Sequence, residues 1–121
     1  MKYNRHDALN SLKPNQFSWM GFEYSGLNWL GSGTAPTEAE IDAEVTRLDN
    51  AEPMRLLRIE RDRRLSACDW VSAKATDTGV AVTTAWKTYR QALRDMTTQT
   101  PKLDSRYELD LTSVTWPTQP S

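Results

Sequence analysis

The chain has 121 residues, 38% of them hydrophobic and 26% charged, with 15 basic against 16 acidic side chains and a formal net charge of −1. That length suits one domain or two very small ones, and the modest apolar share is partly made up by aromatics, five of which are Trp. A near-neutral chain carries no global electrostatic footprint for nucleic acid or an anionic membrane. A single cysteine, Cys68, and a single histidine, His6, exclude an internal disulfide framework and a Cys-based zinc site. No apolar run is long enough for a signal-peptide core or a membrane span, so a reducing cytoplasm is the expected compartment.

Residues 1–12 read as a short helix with Asn4 as N-cap and Ala8, Leu9 and Leu12 on its apolar side, stopped at Lys13-Pro14-Asn15. Residues 16–30 interleave aromatics with small and polar residues. Phe17 and Trp19 alternate with Ser18, and Leu27 and Trp29 with Asn28, which predicts a β-hairpin over about 16–20 and 25–30. The loop 31–36 leads into Thr37-Glu38-Ala39-Glu40, a capping-box sequence. In it the Thr37 hydroxyl is expected to accept from the Glu40 N–H and the Glu40 carboxylate from the Thr37 N–H. The helix that follows is expected to end near Asn50. Residues 37–52 hold six acids and one base, which reads as a solvated acidic face.

Pro53 suits the first position of a new helix, expected over 53–75. Thr76-Asp77-Thr78-Gly79 reads as a turn. A second helix covers about 80–97, where Val82, Ala85, Trp86, Tyr89, Ala92, Leu93 and Met96 follow the helical period. Two helices joined by a short turn predict an antiparallel αα-hairpin, and the Ser/Thr/Pro-rich end of the chain predicts an extended tail anchored by Trp116. The expected class is α+β, with an N-terminal module over 1–50 and a helical hairpin with its tail over 53–121.

Five arginines crowd residues 55–64, but they spread around the helix with Glu60 and Asp62 among them, which is not the pattern of a nucleic-acid helix. In an antiparallel pair, Arg61-Asp62 falls opposite Arg90 to Asp95. Asp62 is then expected to accept from Arg90 or Arg94, and Arg61 to reach Asp95, a set of pairs that fixes register more than it adds stability. Catalysis has little support. The carboxylate pairs of the acidic helix lack a His or an apolar niche, Gly31-Ser32-Gly33 is not a phosphate loop, His6 reads as solvent-facing and Cys68 as a small core residue. No enzyme activity, cofactor, metal or small-molecule substrate is expected.

Three pieces of the second half stand out together. They are Leu57-Arg58-x-x-Arg61-Asp62-x-x-Leu65-x-x-x-Asp69-Trp70, then Trp86-x-x-Tyr89-Arg90-Gln91-Ala92-Leu93-Arg94-Asp95, then Trp116-Pro117-x-x-Pro120. In this order and spacing they resemble the bacteriophage tail assembly chaperone family over residues 54–120. The first half, from Ala8-Leu9 through Trp19, Tyr24-Ser25-Gly26-Leu27-Asn28-Trp29 and Pro36-Thr37-Glu38, more loosely resembles a module often joined to that domain in phage proteins. The resemblance implies a protein of tail morphogenesis, acting in the host cytoplasm during assembly, that binds a tail or tail-fibre protein and assists its folding or assembly. The alternative is a permanent small subunit of the tail or fibre. Near-neutral charge and the Trp content also permit self-association.

No binding residues travel with the resemblance. By spacing, Trp70, Trp86 and Tyr89 read as core. Phe17, Trp19, Trp29, Trp116 and Pro117 are the expected partner-binding residues, because a hairpin and a tail have little core of their own to hide them.

Overall fold

A computed structural model describes residues 2–21 and 23–121. It is helical with one two-stranded antiparallel sheet, an α+β chain that contains the expected N-terminal helix and helical hairpin. The chain divides into two compact units, one ending at Glu52 and one spanning Pro53–Ser121.

In the first unit, α1 (Arg5–Leu12) begins at a full capping box. Asn4 Oδ1 accepts from the Asp7 N–H at 2.9 Å, and the Asp7 carboxylate accepts from the Asn4 N–H at 3.0 Å. Met1, included in the expected helix, lies outside the described residues. Strands β1 (Phe17–Trp19) and β2 (Leu27–Trp29) pair with Phe17 opposite Trp29 and Trp19 opposite Leu27. Alternation along a strand puts those four side chains on one face. Phe17, Trp19 and Leu27 use it to pack on a core of Ala8, Leu9, Ile41 and Val45. The turn needs glycine at Gly26, where a Cβ would stand 2.0 Å from the Met20 carbonyl oxygen. His6 is half-buried rather than solvent-facing. Its ring stacks on Trp19 at 4.8 Å and its Nε2 bonds the Gly21 carbonyl at 2.7 Å.

The helix expected to stop near Asn50 does not stop. α2 runs Glu38–Ala67 with Pro53 inside it. A proline forfeits one backbone bond and crowds the preceding turn, but Ala51, Glu52, Met54 and Leu56 are strong helix formers with no turn residue among them. At the start of α2, the Thr37 hydroxyl accepts from the Glu40 N–H at 3.2 Å as expected, whereas the Glu40 carboxylate accepts from the Thr37 hydroxyl instead of the Thr37 N–H. The acidic face is not simply solvated. Arg5 binds Glu38 and Asp42 at 2.7 and 2.8 Å, Asp49 accepts the Lys2 and Tyr3 N–H groups, and the buried Glu52 takes Lys2 Nζ and the Tyr3 hydroxyl. The acids hold the N-terminal segment down.

In the second unit the helix break falls at Cys68-Asp69, where the last bonds of α2 tighten to Leu65 and Ser66 carbonyls. α3 (Trp70–Thr78) follows. Its end was expected to be a turn from Thr76. Instead the Thr76 and Thr78 hydroxyls bond back to the Ser72 and Lys74 carbonyls, and Gly79 caps the helix at φ +71°. α4 (Thr84–Arg94) starts four residues later than expected, N-capped by the Thr83 hydroxyl. Cys68, Val71, Tyr89 and Leu93 form one core cluster, and Leu57, Met96 and Val114 another.

The last twenty residues carry local structure as far as Ser113, and residues 114–121 follow without a helix or strand. Leu103 bridges Leu109, a helical turn spans Leu111–Ser113, and the Gln99 amide clamps both the N–H and the carbonyl of Thr115. The buried Val114 completes the second cluster.

Continuity through Pro53 is testable. Replacing Pro53 with Ala restores a donor and relieves crowding, so it should raise the unfolding free energy by about 1–2 kcal/mol, the helix gain being reduced by the looser unfolded chain. Chemical denaturation measures this. A loss of stability would mean that Pro53 starts a helix.

Candidate functional site

Arg90 organises the second unit. From α4 its Nη1 reaches the Leu65 carbonyl at 3.2 Å and Cys68 Sγ at 3.1 Å, while Nη2 pairs with Asp69 at 3.2 Å. One planar guanidinium thus satisfies the end of α2 and binds the first residues of the break. The expected pairs across the helices do not form. Arg61 turns onto its neighbour Asp62 at 3.0 Å, Asp95 accepts from Gln91 at 3.0 Å, and Arg94 donates to the side-chain amide oxygen of Gln91 at 3.4 Å. The break at residue 68 and the late start of α4 shift the register, so that Asp69 faces Arg90 where Asp62 was expected.

A second arginine anchors the C-terminal segment. The Arg64 guanidinium lies 4.0 Å from the centre of the Trp116 ring and donates to Glu60 at 2.9 Å, while Trp116 Nε1 donates to the Leu111 carbonyl at 3.1 Å. Glu60 also binds Arg63 at 2.6 Å. Hydrogen bonds from Arg63 and then Arg64, working against partial burial, lower the Glu60 carboxyl to about 2.

The partner-binding residues expected from sequence are all half-buried. Phe17 and Trp19 lie on the first unit's core, Trp29 donates to the Gly33 carbonyl, and Trp116 packs against both clusters of the second unit. The premise that hairpin and tail lack a core of their own is therefore corrected. Pro117 lines a small depression with Arg63, Arg64 and Tyr89. The structure reverses the reading of Trp70, which is 52% exposed. Of the other two aromatics read as core, Tyr89 is buried and Trp86 half-buried.

Trp70 meets Trp86 edge-on at 5.4 Å, and the two flank an open groove of about 160 Å³ between α3 and the start of α4. Val71, Ala75, Val80, Ala81 and Val82 complete its apolar lining, and Val80 is 69% exposed. Beside it, sharing Val82, lies a polar depression of about 340 Å³ lined by Ser72, Lys87, Arg90, Gln91 and Arg94. Sequence reasoning placed Val80-Ala81-Val82 in a helix. Three apolar residues directly after a glycine cap were the available signal that they form a loop. The spacing of Lys87, Arg90 and Arg94 was equally visible as one face of a helix.

Among the described residues, no cluster of His, Cys, Asp and Glu is arranged to hold a metal ion, and no helix is long and apolar enough to cross a membrane. What the surface offers is an apolar groove beside a cationic one, which is chemistry for binding a polypeptide.

The profile of the phage tail assembly chaperone protein family matches residues 54–121. That is more than half of the chain and takes in the break, the groove, α4 and the Trp116 anchor, and the protein belongs to this family. No curated protein and no solved structure matches the chain.

Two outcomes follow from the arginine contacts. Trp116→Ala should cost about 2–3 kcal/mol, below the full-burial value because the ring is half-exposed, and should expose residues 111–121 to limited proteolysis. Glu60→Gln should cost about 1 kcal/mol at neutral pH after allowance for solvent screening. Because the folded-state carboxyl is depressed to about 2 from an ordinary 4.5, its contribution is complete above 4.5 and fades as pH falls toward 2. Denaturation midpoints of the two proteins should converge over that window.

Proposed function

We propose that the protein binds a tail or tail-fibre protein during particle assembly, inside the infected host cell, and assists its folding or assembly without enzymatic chemistry. The observation that carries this reading is the Trp70–Trp86 groove. A half-exposed Trp and an exposed Val border a preformed apolar concavity in the family-matched unit. Burying such side chains is worth about 25 cal/mol per Å², so an apolar segment awaiting assembly gains by occupying the groove. Family membership supports tail assembly as the setting.

The test has two parts. Each tail and fibre protein of the source phage is co-expressed with this chain, and its soluble fraction is measured with the wild type and with Trp70→Asp. One such protein should become soluble only with the wild type, while the variant keeps its helical content because Trp70 is half outside the fold. Quantitative mass spectrometry of purified particles should find the chain absent or scarce. Copy numbers matching a tail symmetry would make it a permanent subunit, and no change in any partner's solubility would overturn the assisting role.

A further inference from the structure

We propose that the groove and the adjoining cationic stripe of α4 together take an acidic, amphipathic segment of the partner, its apolar side chains over Trp70, Val80 and Trp86 and its carboxylates on Lys87 and Arg94. This rests on the partner-binding reading above and adds the chemistry of the segment.

The two depressions adjoin at Val82, which lines both. Of the stripe's three cations, Arg90 is matched by Asp69. Lys87 and Arg94 are exposed and have no acidic partner among the described residues. The nearby Asp95 is engaged by Gln91. The imbalance extends to the whole unit, because residues 53–121 carry eleven basic and eight acidic side chains. A polypeptide entering the groove therefore meets positive charge along one side. Carboxylates there would steer encounter and fix the segment's register, while the tryptophans supply the apolar anchor.

Geometry narrows the occupant. Lys87 and Arg94 are seven residues apart on one helix, a rise of about 10 Å. Acids seven apart on a helix laid alongside match that distance, as do acids about three residues apart along an extended strand. A second copy of this chain suits the role less well, because most acids of its own α2 are already engaged. Glu38 and Asp42 bind Arg5, Glu44 binds Arg47, and Asp49 and Glu52 hold the N-terminal segment. Nucleic acid does not suit it either, since three cations beside an apolar groove lack the extended basic footprint of a phosphate-binding surface.

The experiment uses the full chain and two fluorescein-labelled synthetic helical peptides with identical Leu positions, one with Glu and one with Lys at polar positions seven apart. Fluorescence anisotropy at low salt should show the Glu peptide binding about tenfold tighter or more. That advantage should vanish in the double variant Lys87→Glu/Arg94→Glu, whose altered residues are exposed, and should shrink in about 0.5 M NaCl. Trp70→Ala should weaken both peptides.

Equal affinity for the two peptides, still lost in Trp70→Ala, would overturn the acidic segment and leave the groove reading standing. No binding of either would overturn both. A single-stranded oligonucleotide that binds more tightly than the Glu peptide, and loses binding in the double variant, would reassign the stripe to nucleic acid and overturn the proposal.

Discussion

The second unit depends on a helix that has to end where no glycine or proline ends it. At Cys68-Asp69 the chain leaves α2 and at once begins α3, which leaves the Leu65 carbonyl with a tightened bond from the Cys68 N–H and places the Asp69 carboxylate at the start of α3. Arg90 reaches both from across the fold, bonding the Leu65 carbonyl, the Cys68 sulfur and Asp69 through one rigid fork. A lysine has no comparable reach to three partners at fixed angles. With the break held, Val71 and Cys68 face Tyr89 and Leu93 in the core, while Trp70 falls on the outside, edge-on to Trp86. The groove is a by-product of that geometry. It lies between α3 and the start of α4, and residues 80–83 line part of it.

The two units use charge differently. In the first, acidic side chains of α2 are structural. They receive Arg5, Lys2 and the backbone of the N-terminal segment, and burial of Glu52 is tolerable because its Oε2 meets both Lys2 Nζ and the Tyr3 hydroxyl. In the second, the arginines are split between structure and surface. Arg64 and Arg90 act inside the fold, stacking on Trp116 and tying the break. Arg94, with Lys87, is left facing solvent beside the groove. The proposed assisting role calls for a surface that holds another chain without trapping it. A shallow apolar groove with charge along one side is suited to that, since its hold is modest and its register electrostatic.

The amino-acid sequence by itself determined the α+β class, the Asn4 start of α1, the hairpin strands and the amphipathic period of α4, and its three motif pieces pointed to the family that the profile match established. These are local signals. A cap lies within four residues, strand alternation within three, and helical period within a few turns. What it misjudged was decided at longer range. Pro53 suggested a boundary that the helix formers on either side overrode. The break at residue 68 had no turn residue to announce it, because its stabilising partner lies 22 residues onward at Arg90. Once that break moved, every facing pair inferred from the helix register moved with it.

Exposure was likewise a tertiary decision. Trp70 and Trp86 share apolar character and helical spacing, yet one lies half outside and the other lies against the core. Phe17, Trp19 and Trp116 looked unsheltered by their own segments and found shelter in others. Spacing along a helix says which side chains share a face. Which way that face turns depends on where the chain breaks, and here a single arginine contact made from the next helix sets the break.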